Sequence, residues 1–142
     1  MSEICVDKNL NLLANKRATR PKLSYGTNGI YDREAFYNYC RKHWDYSLIF
    51  VSYSISSNFP DIKIERGVYC IASIEIEDDR VRQLGGVHTK LYIFKKHKRI
   101  VACFLGSLNV GADQSLELLV KLDKSQFQWA LDYFEELWKQ AK

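Results

Sequence analysis

Four polar residues near the middle of the chain are predicted to form one patch that suits phosphate chemistry. His88 and Lys90 are two residues apart in a strand-like segment, so their side chains point to the same face. Ser107 and Asn109 have the same spacing where the next apolar segment ends. A β-hairpin formed by the two segments would place both pairs side by side, and Gly106 would let the backbone approach closely there.

These side-chain types suit the cleavage of a phosphate ester. Lysine offers a point charge to non-bridging oxygens, and an asparagine amide donates hydrogen bonds to them. Imidazole can act as a nucleophile or a general acid near neutral pH. No carboxylate cluster suggests a metal ion, so neither a metal nor a cofactor is predicted. The alternatives are an ordinary polar pair on a strand for His88 and Lys90, and turn chemistry for Ser107 and Asn109.

The surrounding sequence predicts the strands that would position this patch. Five short segments are rich in β-branched and aromatic residues, which favour strands. These segments cover residues 47–56, 67–76, 87–94, 100–105 and 116–122. A charged loop is predicted between the second and third segments.

Two helices are predicted to flank the strands. Asp32 is a favourable N-cap for a helix that runs to about His43. Its apolar face is predicted to comprise Phe36, Tyr39, Cys40 and Trp44. Ser125 and Gln128 have the spacing of a capping box ahead of a C-terminal helix with one apolar face. Strands flanked by helices indicate an α/β or α+β domain over residues 25–142.

Composition sets the broad class of the protein. The 142 residues are 46% apolar and 13% aromatic, which is typical of one folded domain. The four cysteines, which fit no zinc-binding spacing, are expected to be reduced: Cys5, Cys40, Cys70 and Cys103. The chain has no signal-peptide pattern and no apolar run of the ~20 residues that span a bilayer. These features predict a cytoplasmic protein without membrane attachment.

Two basic segments are candidates for contact with a nucleic-acid backbone. The chain carries 21 basic and 17 acidic residues, so its net charge of +4 is compatible with a polyanionic partner. The predicted hairpin tip contains Lys95, Lys96, Lys98 and Arg99. The N-terminal segment, residues 1–24, contains Lys16, Arg17, Arg20 and Lys22. The alternative for both segments is a solvated surface.

The motif formed by His88-Thr89-Lys90 and Gly106-Ser107-Leu108-Asn109 resembles the H-x-K and G-S-x-N motif of the phospholipase D superfamily. Glu117 opens the next apolar strand, where that family has a glutamate that orients the histidine. Residues 48–55 are similar to the first core strand of the family. The resemblance covers residues 31–138 in outline and is specific over residues 86–120. It implies an α/β fold with a mixed β-sheet flanked by helices, in a phospholipase D-like single domain.

Two departures from the family pattern favour a nuclease over a lipase. Lys95 replaces the usual aspartate five residues after the lysine, and the interval from Lys90 to Gly106 is longer than in the common form. Endonuclease members of the superfamily, including some restriction enzymes, are similar in both respects. The resemblance therefore predicts a metal-independent phosphodiesterase that cleaves DNA or RNA.

The resemblance also implies that the active site needs two copies of the motif. One histidine attacks phosphorus and forms a phosphohistidine, while the other protonates the leaving oxygen. This chain has one copy, because His43 and His97 lack a suitably spaced lysine. A two-fold homodimer that brings together His88 of each subunit is therefore predicted. The alternatives are an inactive relative that binds nucleic acid or inhibits a partner protein, and an enzyme that acts on phospholipids.

Overall fold

Over the residues that the structure describes, the main body is a seven-stranded β-sheet with two helices. The computed structural model describes residues 4–6, 10–12, 29–112 and 116–142. The sheet contains β3 (Ile30–Asp32), β4 (Ser47–Ile55), β5 (Lys63–Ala72), β6 (Val81–Gln83), β7 (Lys90–Lys96), β8 (Arg99–Gly106) and β9 (Leu118–Lys121). The helices are α1 (Arg33–Lys42) and α2 (Phe127–Gln140), and a separate antiparallel pair comprises β1 (Ile4–Val6) and β2 (Leu10–Leu12).

The sheet is mixed, and its strands lie in the order β3-β9-β8-β7-β4-β5-β6. The β4–β5 and β5–β6 pairs are parallel, whereas the other neighbours are antiparallel. The predicted hairpin between the two motif segments is confirmed as β7–β8. The predicted α/β fold with a mixed sheet flanked by helices is therefore confirmed.

Each face of the sheet is covered by one helix because the central strands are apolar on both sides. Phe36 and Cys40 of α1 pack in a cluster with Phe94 of the sheet. Phe134 of α2 packs in a second cluster with Ile93, which adjoins Phe94 and points to the opposite face. A strand buried on both faces appears in the sequence as a continuous apolar run, as β7 does.

The first helix begins as predicted and ends before its last predicted apolar residue. The carboxylate of Asp32 accepts a hydrogen bond from the Ala35 amide at 2.8 Å, so the N-cap is confirmed. The prediction that Trp44 lies on the buried face is wrong, because this side chain is 72% exposed. The backbone leaves the helical conformation at His43, with φ −111° and ψ 47°, so the helical spacing no longer applies at Trp44.

The capping box predicted for the second helix is wrong. Ser125 lies within a short 3₁₀ turn, Lys124–Gln126, rather than at the N-cap of α2. The carboxylate of Asp123 accepts a hydrogen bond from the Ser125 amide at 3.0 Å and caps this turn. The helix then starts at Phe127 without a side-chain cap.

Several strand boundaries differ from the prediction. The second predicted strand starts earlier, at Lys63, and the third starts later, at Lys90. The segment predicted as a charged loop contains β6, which pairs with β5 at the edge of the sheet. Edge strands accept charged residues, so composition alone does not reveal them.

The remaining sequence predictions concern cysteines, membrane spans and the N-terminal segment. Burial raises the pKa of both Cys40 and Cys103 to about 12, so these free thiols stay protonated.

The described residues include no helix with the length and apolar character that crossing a membrane requires. The basic residues of the segment 1–24 lie outside the described residues.

Candidate active site

The two halves of the motif meet at one end of the β7–β8 hairpin. Lys90 is the first residue of β7 and pairs with Gly106, the last residue of β8. Gly106 also pairs with Leu119 of β9, so three strands converge where Ser107 follows. The sequence predicts His88 within the third strand, but it lies just before β7. It nevertheless remains beside Lys90.

Gly106 is required for this convergence. A Cβ atom at this position would lie 2.2 Å from the carbonyl oxygen of Leu118 and 2.8 Å from the Cα of Leu119. Both atoms belong to the backbone of the neighbouring strand, which cannot rotate away as a side chain can. The close approach expected from the sequence is therefore confirmed.

His88 and Lys90 are in direct contact. The Nζ atom of Lys90 lies 2.9 Å from Nδ1 of His88. An ammonium group has no lone pair, so a charged Lys90 donates this hydrogen bond, and a neutral imidazole then carries its proton on Nε2. His88 is exposed, whereas Lys90 is only 8% exposed. The pair therefore presents an accessible Nε2 atom above a mostly buried cation.

The charge of Lys90 is affected by its surroundings in two opposing ways. Burial lowers its pKa below the usual 10.5, and the negative charge of Glu117 partly opposes this shift. Within the described ranges, no ion pair joins Lys90 to a carboxylate, and no hydrogen bond joins Glu117 to His88. Glu117 therefore acts on Lys90 through its charge, and Lys90 is the side chain that contacts Nδ1 of His88.

Ser107 connects the motif to β9. Its hydroxyl oxygen accepts a hydrogen bond from the Leu118 amide at 3.1 Å and lies 3.3 Å from the Leu118 carbonyl oxygen. The amide of Ser107 donates to the same carbonyl at 2.9 Å. Ser107 is exposed, so its position is fixed by the backbone of β9 and its side chain remains accessible from solvent.

Asn109 connects the motif to the end of β4. Its Oδ1 atom accepts hydrogen bonds from the amides of Tyr53 at 3.1 Å and Ser54 at 3.2 Å. The buried hydroxyl of Ser52 lies 3.1 Å from the same oxygen and 2.6 Å from the Ser54 carbonyl, and its single hydrogen donates to one of them. These contacts occupy the oxygen of the amide group, so Nδ2 is the atom of Asn109 suited to bind an anion.

Tyr53 is a further member of this site, and no sequence motif indicates it. The ring of Tyr53 lies against the imidazole of His88, with ring centroids 4.8 Å apart and planes inclined at 40°. Lys90 Nζ lies 5.9 Å from the centroid of the Tyr53 ring. The strand pattern of β4 shows that Tyr53 alternates with Ser52, but it does not show which residue its ring contacts.

Thr89 contacts the helix on the other face of the sheet and not the patch. Its hydroxyl forms a hydrogen bond with the hydroxyl of Tyr133 in α2. This contact anchors the segment between His88 and Lys90 to the helix on the other face of the sheet. The motif is thus held on both sides, by α2 through Thr89 and by β4 through Asn109.

The basic hairpin tip lies at the opposite end of β7. Lys95 is five residues from Lys90, about 17 Å along an antiparallel strand. Its ammonium group forms an ion pair with Glu65 at 3.2 Å, and Lys96 forms one with Asp45 at 3.4 Å. The structure therefore does not bring the predicted nucleic-acid-binding residues of this tip to His88, and their contact with nucleic acid remains a prediction.

No group of three or more histidine, cysteine, aspartate and glutamate side chains suited to hold a metal ion occurs in the described part of the chain. The chemistry that its residues offer at the site is therefore an imidazole, an ammonium group, an amide and a hydroxyl.

Comparisons with known proteins show what the chain is similar to. Residues 72–141 match the family model of the N-terminal phospholipase D domain of the NgoFVII restriction endonuclease. Nuc from Salmonella typhimurium, a phospholipase D family member of known structure, aligns with 12% identity and a TM-score of 0.53 over 80% of this chain and 94% of that chain. No curated protein sequence matches the chain. The sequence match over residues 72–141 and the shared fold support a relationship of the chain to the phospholipase D superfamily.

Proposed function

We propose that this protein is a metal-independent nuclease that cleaves DNA or RNA through a covalent phosphohistidine at His88. The observation that carries the proposal is the contact between His88 and the buried cation of Lys90 at 2.9 Å, beside Asn109 and Ser107. The match of residues 72–141 to a restriction endonuclease domain supports nucleic acid as the substrate. We propose His88, Lys90, Ser107, Asn109 and Glu117 as the residues of the active site.

Each polar group has a distinct role in the proposed reaction. Lys90 and the Nδ2 atom of Asn109 bind the non-bridging oxygens and stabilise the charge that develops on them. Nε2 of His88 attacks phosphorus as the bond to the leaving oxygen breaks, and that oxygen takes a proton from His88 of the partner subunit. A water molecule then transfers a proton to the imidazole of His88 of the partner subunit. The oxygen of this water attacks phosphorus, and the bond between phosphorus and Nε2 of the first His88 breaks.

The two histidines need different protonation states. The histidine that acts as the acid is an imidazolium with protons on both nitrogens, so its Nδ1 cannot accept a hydrogen bond from Lys90. The attacking histidine needs its proton on Nδ1. We infer that Lys90 of each subunit turns to the phosphate and that Glu117, whose charge already acts on Lys90, accepts the hydrogen bond from Nδ1. Because the two imidazoles would interact closely, they would titrate as a coupled pair.

A homodimer supplies the second histidine in this proposal. The other two histidines lie elsewhere: His43 caps α1 and stacks on Tyr46, and His97 lies at the hairpin tip. Leu118 and Val120 of β9, beside the motif, are 47% and 48% exposed. This apolar surface, next to an incomplete site, supports a second copy of the chain as the partner.

Cleavage without metal tests the proposed activity. The purified protein is incubated in EDTA with plasmid DNA, single-stranded DNA and RNA, beside His88→Ala and the matched control His97→Asn. We expect the wild type and His97→Asn to cleave at least one substrate, and His88→Ala to cleave none of them detectably. Equal inertness of the wild type and His88→Ala on every nucleic acid would overturn the proposal.

Subunit mixing tests whether the site is shared. Wild-type and His88→Ala subunits are mixed at a constant total concentration, with exchange between them verified by mass spectrometry. If both histidines of a dimer are needed, cleavage should fall as the square of the wild-type fraction. A linear decrease, or an active monomer in analytical ultracentrifugation, would contradict the shared site.

A second candidate function is a binding protein without catalysis. The observation that favours it is that Ser107 and the Oδ1 atom of Asn109 already bind the backbone of β9 and β4, so both side chains have structural roles. This function predicts that binding to nucleic acid or to a partner protein survives His88→Ala and that no cleavage accompanies it.

A further inference from the structure

Two side chains restrict the imidazole of His88 from different directions. Lys90 contacts its edge, with 2.9 Å between Nζ and Nδ1. Tyr53 contacts its face, with the ring centroids 4.8 Å apart. An exposed histidine without such contacts would sample several rotamers in solution. Together the two contacts define both the tilt of the ring and the direction in which Nε2 points.

The position of Tyr53 is itself fixed by the motif. Its backbone amide donates to Oδ1 of Asn109 at 3.1 Å, and the next amide, of Ser54, donates to the same oxygen at 3.2 Å. The Val110 amide donates to the buried hydroxyl of Ser52 at 3.0 Å, which joins the same two segments again. Asn109 therefore holds the end of β4 in place, and this end of β4 presents the ring of Tyr53 to His88.

We propose that Tyr53 is a positioning residue for His88, holding the imidazole so that Nε2 faces the phosphodiester. This role rests on the proposed function, in which Nε2 exchanges a bond or a proton with the substrate. The aromatic ring is the part of the side chain that acts, because the contact with His88 is ring to ring. In the described part of the chain, the Tyr53 hydroxyl has no hydrogen bond, so phenylalanine should serve equally well.

The ring of Tyr53 also lies near the buried cation. Lys90 Nζ lies 5.9 Å from its centroid, at the outer limit of a cation–π contact. The Tyr53 ring thus lies near both groups of the pair. Loss of the ring should therefore free His88 first and disturb Lys90 less, since Lys90 is held by its own burial.

Kinetics of three variants test the role in catalysis. A displacement of a reacting group by ~1 Å costs about 10²-fold in rate, so we expect Tyr53→Leu to lower kcat by roughly 10- to 100-fold and KM by little. Tyr53→Phe should retain the wild-type kcat. The matched control is Tyr46→Leu, which removes a tyrosine stacked on His43 at 4.5 Å, away from the site. An unchanged kcat in Tyr53→Leu would overturn the proposal.

A spectroscopic measurement tests the positioning independently of activity. In imidazole NMR spectra, the ring protons of His88 should move away from their ring-current-shifted positions in Tyr53→Leu and stay in place in Tyr53→Phe. Tyr46→Leu should shift only the signals of His43. Unmoved His88 signals in Tyr53→Leu would contradict the proposal even if kcat fell.

The two measurements separate this inference from the proposed function. A wild-type protein that cleaves nothing, with His88 signals that still respond to Tyr53→Leu, would overturn the nuclease and support the contact between the two rings. A wild-type protein that cleaves, with a Tyr53→Leu variant of equal kcat, would overturn the positioning role and leave the nuclease in place.

Discussion

The two ends of the β7–β8 hairpin carry lysines in opposite electrostatic situations. At the motif end, Lys90 is 8% exposed and contacts a histidine, and it has no carboxylate ion pair among the described residues. At the tip, Lys95 and Lys96 are paired with Glu65 and Asp45. On the same strand, carboxylates neutralise the charge of the tip lysines, whereas the charge of Lys90 stays available. A cation held without a carboxylate ion pair has a cost in stability, which is typical of a functional site.

The difference between the lysines should be largest in catalysis. Replacing Lys90 with methionine removes the cation proposed to bind the non-bridging oxygens, and loss of one such group costs about 10²- to 10³-fold in rate. Lys95→Met is the matched variant at the tip and should leave the metal-free cleavage rate at saturating nucleic acid within about twofold, because Lys95 lies about 17 Å along the strand from Lys90. A contact of Lys95 with nucleic acid would appear as a higher KM. Comparable losses of cleavage rate in Lys90→Met and Lys95→Met would contradict the proposed difference between the two lysines.

The two ends should also differ in their tolerance of a change at the backbone. Gly106→Ala places a Cβ atom 2.2 Å from a backbone oxygen of β9. We expect it to lower the free energy of unfolding by about 2–4 kcal/mol in urea denaturation. The control at the tip is His97→Gly, because His97 has a φ of 53° that glycine adopts without strain. Its effect should stay within about 1 kcal/mol, and a neutral Gly106→Ala would contradict the packing described for the motif.

The smallest predicted effect is a pH dependence of stability. Burial lowers the pKa of Lys90 below 10.5, so at pH values between its folded and unfolded pKa the unfolded chain binds more protons. The cost of the buried charge is present below the folded pKa and is lost as pH rises through this window. The free energy of unfolding of the wild type should therefore rise relative to Lys90→Met as pH approaches 10.5. If the free energy of unfolding of the wild type instead fell relative to Lys90→Met over this pH range, the lowered pKa of Lys90 would be contradicted.

Local patterns in the sequence were sufficient to predict much of the sheet and the approach of the motif segments. The apolar run of β4 and the hairpin β7–β8 follow from residue types along the chain, and the N-cap at Asp32 follows from one side chain. The prediction failed where the backbone left a regular pattern, as at Trp44, beyond the end of α1. Periodicity is informative only within an element, and the ends of elements depend on caps and turns.

The arrangement of the site was less accessible to sequence analysis. Spacing predicted that His88 and Lys90 share a face, but not that their side chains touch. The contact of Tyr53 with His88 joins residues 35 positions apart, and it depends on Asn109 holding the end of β4. Such contacts are set by the tertiary packing of three strands, for which a single sequence offers no local signal.

The central claim is that His88 forms a covalent bond to the substrate phosphorus. The most direct measurement is denaturing capture of the wild-type protein with a nucleic acid that it cleaves, followed by alkaline work-up and peptide mass spectrometry. We predict a nucleotide adduct on the peptide that contains His88, absent from His88→Ala and undiminished in His97→Asn. Rapid cleavage by the wild type with no adduct at any time point, or an adduct on another residue, would contradict the account.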